Sequence, residues 1–264
     1  MFWILSRTPL LVASALSWVL ACLWWFLIPY RRQVAIDGYR RAFPEVSPGP
    51  DLRRMVHGVI LGYFELCREM RVPGSIRMEY SGEQAMLAEL QLGHGSFLLS
   101  GHFGSWDLCG AMVCRDLQLP ASVIVKTPKN RAAADMIERI RTAFGMGLLP
   151  VRNVMATVYE EVQHGRQVVF LLDQRLSRGI DVPFFGEPAR TSPALAHAAA
   201  KSEKPVHTLW FIRDGVGRHR AEIGPPIPMT GDVEADTTAF MKFYEERIRQ
   251  HPHNWFWLHK RWRR

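Results

Sequence analysis

The chain has 264 residues, 48% of them hydrophobic, enough for one large domain with a sizeable core plus an appendage, and this excludes a disordered chain. Its formal charge of +8, from 33 Lys and Arg against 25 Asp and Glu, favours an acidic partner: a membrane surface, nucleic acid or an acidic protein. Cys22, Cys67, Cys109 and Cys114 form no CxxC pair or dense pattern, so neither a zinc site nor a secreted disulfide scaffold is indicated and reduced, packing cysteines are expected.

Leu10 to Ile28 is an uncharged run of 19 residues, long enough as a helix to cross about 30 Å of hydrocarbon. It is read as a membrane anchor. Trp18, Trp24, Trp25 and Tyr30 suit its interfaces. Arg31, Arg32, Arg40 and Arg41 follow it and only Arg7 precedes it, which puts the body of the protein in the cytoplasm. Val19-Leu20-Ala21-Cys22 loosely matches a lipoprotein cleavage box, but the apolar run continues to Ile28, so an uncleaved anchor is the better reading.

Pro44, Pro48 and Pro50 mark a linker, and Asp51 to Met70 carries a helical apolar pattern. Short apolar strands near 96–100, 121–126, 167–172 and 205–212 then alternate with helices near 83–91, 105–115, 130–144 and 154–163. That alternation predicts an α/β domain over 33–264, a mixed sheet flanked by helices, preceded by one N-terminal transmembrane helix within 1–32. Thr191-Ser192-Pro193 opens a further helix, with Ser192 as N-cap and Pro193 at the first helical position. A last amphipathic helix covers about 235–250, and Pro252 stops it.

The chemistry concentrates in Gly101-His102-Phe103-Gly104-Ser105-Trp106-Asp107. An imidazole is suited to collect a hydroxyl proton near neutral pH, and a carboxylate can orient it and stabilise the imidazolium. Positions five apart on one helix diverge by about 140°. A strand ending near Ser100, a turn through Gly101 to Gly104 and a helix from near Ser105 instead let His102 and Asp107 line one pocket. Asp173-Gln174-Arg175 follows the strand 168–172, at the strand end where open α/β sheets place sites, so Asp173 is a second candidate to orient His102. A turn cap is its alternative role.

Val182 to Thr191 reads as an apolar loop rimmed by Arg190, suited to hold or cover an acyl chain or merely to plug the core. Lys126, Lys129, Arg131, Arg139 and Arg141 are candidates for phosphate groups, or a solvated helix face. The segment 254–264 interleaves aromatics with bases. It suits a membrane interface, stacking on nucleic acid, or closure of the domain core. The chain has no G-x-S-x-G elbow, no phosphate-binding G-x-x-x-x-G-K-[ST] and no H-E-x-x-H, which disfavours a serine hydrolase, a P-loop enzyme and a zincin.

Taken in order, the anchor, Arg40-Arg41-Ala42-Phe43-Pro44-Glu45, the His102 motif, Asp173-Gln174, Phe184-Phe185-Gly186-Glu187-Pro188-Ala189 and Trp257 to Trp262 resemble the bacterial lipid A biosynthesis acyltransferases, within the wider glycerolipid and lysophospholipid acyltransferase group. The resemblance covers nearly the whole chain. It implies a single-pass bacterial inner-membrane enzyme with a cytoplasmic catalytic domain. The donor would be an acyl carrier protein or coenzyme A thioester, and the acceptor a glycolipid or lysophospholipid hydroxyl. The family's motif histidine and acidic residue fall on His102 and Asp107, and its later acidic position on Asp173. Its arginine falls on Arg139 or Arg141. Gly104, Lys126, Gln174, Phe185, Gly186 and Arg190 are the other expected substrate contacts. Where the lipid A enzymes commonly carry Glu this chain has Asp107, the usual form in the wider group, mannolipid acyltransferases included.

The expected mechanism is direct transfer. His102 takes the hydroxyl proton, Asp107 and Asp173 hold the imidazole, and a backbone N–H near Gly104 or an arginine meets the oxyanion. No cofactor or metal is called for, because a thiol is an adequate leaving group. Two other readings are a membrane-anchored lipid- or nucleic-acid-binding protein without catalysis, and a hydrolase with His102 and Asp107 as metal ligands.

Overall fold

A computed structural model of the chain describes residues 2–82, 84, 87–88, 93–125, 143–151 and 153–262. Helices α1 (Phe2–Arg7), α2 (Leu10–Phe26), α3 (Arg32–Ala42) and α4 (Pro48–Arg71) come first. Then follow β1 (Arg77–Ser81), β2 (Ser96–Ser100), α5 (Trp106–Asp116), β3 (Ala121–Val125), β4 (Gly147–Pro150), α6 (Met155–Gln163) and β5 (Gln167–Leu171). A hairpin, β6 (Ile180–Phe184) and β7 (Glu187–Thr191), leads to α7 (Ala194–Ser202), β8 (Val206–Gly215), β9 (Arg218–Ile223), α8 (Val233–Gln250) and the 3₁₀ turn Pro252–Asn254.

Among the described residues one seven-stranded sheet has the order β1-β9-β8-β2-β5-β3-β4, with β8 and β9 antiparallel and the other pairs parallel. The expected mixed α/β sheet is therefore present. β2 is buried at every position, as a central parallel strand covered on both faces must be. Its side chains alternate between two cores. Phe97 and Leu99 pack with Phe170, Phe240 and Tyr244, whereas Leu98 packs with Cys109, Val113, Val169 and Phe211. Sequence patterning passed over β1, β4 and β9, three strands near the rim or edge of the sheet, and the short helix α3.

A buried polar cluster pins α4 to the sheet. Both guanidinium NH groups of Arg213 donate to Glu65 at 2.7 Å, and His219 Nε2 lies 3.0 Å from the same carboxylate. Burial pushes the Glu65 carboxyl up, but His219 and Arg213 more than offset it and hold it at about 2. Arg213 also donates to Ser105 Oγ, the residue just before α5, and its backbone N–H donates to Asn254 Oδ1. Removing one member of a buried pair leaves the other charge uncompensated, worth roughly 3–5 kcal/mol. The cluster thus braces the loop that carries the histidine.

The expected transmembrane anchor is corrected. Among the described residues no helix is long and apolar enough to cross a membrane. α2 stops at Phe26 after 17 residues, a length of about 25 Å. It also packs along α4, burying Ala13, Ser17, Ala21 and Trp24 as one stripe. His57 of α4 stacks on Trp18 at 4.5 Å and meets Ser14 Oγ at 3.2 Å. The opposite face, Leu11, Leu16, Val19, Leu20, Leu23 and Phe26, stays exposed.

The loop expected at 182–191 is the β6–β7 hairpin. Phe185 and Gly186 form its two-residue turn, both with positive φ (50° and 77°), the geometry whose twist matches the flanking strands. Pro193 is the N-cap of α7 rather than its first residue, and Ser192 Oγ accepts from Ala194 N–H at 3.3 Å. Most of each helix expected at 130–144 and 83–91 lies outside the described residues, as do Lys126, Lys129, Arg131, Arg139 and Arg141.

Candidate active site

β2 and β5 are parallel neighbours with Ser100 opposite Leu171. Two residues past each strand end come His102 and Asp173, so the register itself sets them side by side. The Asp173 carboxylate lies 2.9 Å from His102 Nδ1 and accepts the His102 backbone N–H at 2.8 Å and the Trp255 indole N–H at 3.0 Å. Asp173 is 2% exposed. Burial pushes its carboxyl up, but the charge of His102 and these three donors prevail, holding it below the usual carboxylate value. An imidazole whose Nδ1–H donates to a carboxylate carries its lone pair on Nε2. That nitrogen meets the Gln174 side-chain amide at 3.2 Å and faces an open cleft lined also by Leu171, Arg175 and Ser192. His259, which lines the same cleft, accepts the Arg175 N–H at 2.9 Å, and burial lowers it to about 4, so it is neutral at physiological pH.

Asp173, not Asp107, occupies Nδ1. Asp107 sits in the first turn of α5, where it lines a crevice against α4 and a narrow apolar slot between α5 and the sheet. That slot is small, a cavity of about 40 Å³, and is walled by Leu98, Val113, Cys114, Met146, Leu209 and Phe211 among others. Trp106 lines it too and packs its ring edge-on to His102 at 5.1 Å.

The loop after β2 is fixed from two sides. Phe103 bridges Trp255, Gly104 N–H donates to Asn254 O at 2.8 Å, and Phe256 N–H donates to His102 O at 3.0 Å. Gly104 has φ of +55° and lies against the Phe211 carbonyl, where a Cβ would stand 3.0 Å from that oxygen. The N–H of Gly104 itself is therefore already committed, as are those of His102 and Phe103. The aromatic-basic C-terminal stretch is the wall of the site. Trp255, Trp257 and Arg261 are at most 2% exposed, so their rings are not offered to nucleic acid, and Arg261 donates to Arg190 O at 2.7 Å behind the hairpin.

Beneath the pair, the Tyr244 hydroxyl donates to Ser100 O and accepts Leu172 N–H at 3.0 Å, tying the ends of β2 and β5 together. A Cβ at position 101 would stand 2.7 Å from this ring, which is why the motif opens on Gly101. Tyr244→Phe keeps the ring and removes both bonds. It is expected to cost about 1–3 kcal/mol of stability and to lower turnover about 10- to 100-fold by loosening the pair. Thermal unfolding and turnover measured on one preparation check this, and unchanged turnover contradicts it. Tyr244 and Trp255 carry no sequence mark of these roles, since one reads as an apolar helix residue and the other as part of an aromatic tail.

Of the other expected contacts, Gln174 does reach His102. Phe185 belongs to the hairpin turn, where its N–H donates to Glu245 at 2.6 Å. Arg190 pairs with Asp181 at 2.6 Å and lines a separate polar groove that shares Arg175 with the cleft. Among the described residues no three His, Cys, Asp or Glu side chains are placed to hold a metal ion.

Comparison with known proteins places these features. A family model described as bacterial lipid A biosynthesis acyltransferase matches residues 65–264. A phosphatidylinositol mannoside acyltransferase of Mycobacterium tuberculosis is 29% identical over 184 residues, covering 66% of this chain and 57% of that protein. Another phosphatidylinositol mannoside acyltransferase, of Mycolicibacterium smegmatis, is 27% identical over 182 residues, covering 66% and 58%. The matched region thus spans somewhat more than half the length of these relatives.

Proposed function

The chain belongs to the bacterial lipid A biosynthesis acyltransferase family, and from that premise we propose that it moves a fatty acyl chain from an acyl thioester to a hydroxyl of a membrane glycolipid or lysophospholipid. The observation that carries the reading is the His102–Asp173 pair, whose Nε2 faces the cleft beside an apolar slot. In this scheme the acceptor hydroxyl displaces the Gln174 amide from Nε2 and loses its proton there, while Asp173 stabilises the imidazolium. The hydrocarbon of the donor lies in the cleft, along Ile124, Val125, Phe170, Leu172 and Leu176. Asp107 closes the slot's mouth. The donor is an acyl carrier protein or coenzyme A thioester, and the net positive charge suits either anionic carrier. The mannoside relatives favour a sugar hydroxyl as acceptor, with lysophospholipids as the next class. Residues 33–264 form the acyltransferase domain in this proposal and 1–32 its membrane-docking segment.

The test uses membranes carrying the protein, radiolabelled acyl thioesters of both carriers and a panel of lipid A precursors, mannolipids and lysophospholipids. Label on one acceptor is expected. If no acceptor is labelled and no donor is consumed, the reading falls.

The exposed apolar face of α2 is proposed to lie in the plane of the cytoplasmic leaflet of a bacterial inner membrane, flanked by Arg7 and Arg31. Leu23→Asp combined with Phe26→Asp is expected to release the protein from anionic vesicles on flotation without changing its unfolding temperature. Retention of the double variant on vesicles contradicts in-plane docking.

A further inference from the structure

Ser100 ends β2, two residues before His102, and its hydroxyl is the group in this region that the fold leaves unused. The residue is 1% exposed, and its Oγ has no hydrogen-bond partner among the described residues. It lines the apolar slot, on the same face of β2 as Leu98. Its partner in the ladder, Leu171, lines both the slot and the cleft where His102 Nε2 opens, so Ser100 stands where the two spaces meet. A buried hydroxyl without a partner is unfavourable by about 1–3 kcal/mol, and a catalytic role is one of the reasons such a group is kept.

We infer that the Ser100 hydroxyl donates a hydrogen bond to the carbonyl oxygen of the acyl donor, an inference that rests on the acyl-transfer reading above. The slot is too small for an acyl chain but has room for an oxygen atom, so a thioester held in the cleft beside His102 turns its carbonyl oxygen into the slot's mouth at Ser100. The backbone N–H groups of His102, Phe103 and Gly104 are committed to Asp173, Gly101 and Asn254, and Asp107 is an acceptor when ionised. In the step itself the acceptor oxygen bonds to the carbonyl carbon as its proton passes to His102 Nε2. The C=O electron pair moves onto the oxygen that Ser100 holds. When the C=O bond re-forms, the C–S bond breaks and the thiolate takes the proton back from His102, giving ester and free thiol.

The test compares wild-type protein, Ser100→Ala and Ser100→Cys as full chains in detergent micelles, with palmitoyl coenzyme A and palmitoyl acyl carrier protein and the acceptor that the wild type labels. Cysteine nearly keeps the volume but is a weak donor, so it separates the hydrogen bond from the packing. Both variants are expected to unfold no earlier than wild type, because no native bond is lost. Both are expected to lose turnover, roughly 100-fold for alanine, with the donor KM changed little. Wild-type turnover in Ser100→Ala, or full activity in Ser100→Cys beside a weak Ser100→Ala, overturns the inference while leaving acyl transfer standing. A wild-type protein that consumes no thioester overturns both.

Discussion

His102→Ala is expected to reduce acyl transfer by about 100- to 10,000-fold, the range that a positioned general base contributes, while leaving the fold intact. The reason for the asymmetry lies in the surroundings of Asp173. Its carboxylate keeps two of its three donors, the backbone N–H of residue 102 and the Trp255 indole, when the imidazole is removed. The side chain that is lost is 17% exposed and opens onto the cleft, so water fills its place. A stability loss of about 1–2 kcal/mol follows from the missing hydrogen bond. Thermal unfolding and turnover of one preparation decide the matter: a folded His102→Ala that still transfers acyl chains at near wild-type rate would remove the histidine from the mechanism.

Asp173 is expected to matter to both quantities at once. Asp173→Ala leaves three inward-pointing N–H donors without an acceptor, each worth about 1–3 kcal/mol though not strictly additive, so a loss of several kcal/mol is expected. Asp173→Asn is the more informative change. Asparagine offers one oxygen and one NH₂ where the carboxylate offers two acceptors. The amide that faces Nδ1 turns the imidazole to the tautomer protonated at Nε2, which takes no proton from an acceptor hydroxyl; in serine proteases the corresponding exchange costs about 10⁴-fold. The pH dependence separates this from a purely packing role. Asp173 is held below its unfolded value of about 3.9. Its contribution is therefore fully present above that value and is lost as pH falls through the folded one. Unfolding temperatures recorded from pH 7 down to pH 3 are expected to stay a constant distance apart for wild type and Asp173→Asn down to about pH 4 and to draw closer below it. Glu65, held at about 2, titrates in both proteins and cancels in the comparison. Parallel curves across that range contradict the assignment.

The site was half legible in the sequence, and the half that was missed has a definite cause. A strand, a glycine turn and a helix around His102 follow from local patterning, and β2, the loop and α5 obey it nearly to the residue. The choice between Asp107 and Asp173 did not follow, because it depends on which strand neighbours β2. Once β5 is known to lie beside it in parallel, equal counts past each strand end put His102 against Asp173. Tyr244 and Trp255 stayed hidden for the same reason: their polar tips act far away in the chain, Tyr244 on backbone atoms and Trp255 on the Asp173 carboxylate. The membrane helix failed on a different ground. Hydropathy along 10–28 records apolar residues but not that every third or fourth one faces α4 instead of lipid. The hairpin was read as a loop because its proline-bearing, alternating residues lack a continuous apolar run.

Phe103 pairs with Trp255, and the His102 carbonyl and the Gly104 N–H are completed by Phe256 and Asn254. A growing polypeptide makes the histidine loop early and this wall late. Until residues 254–256 are made, the nascent protein carries both His102 and Asp173 yet lacks the indole and backbone groups that hold them in line. The pair is therefore held in line only after residues 254–256 have been made, well after its own loop.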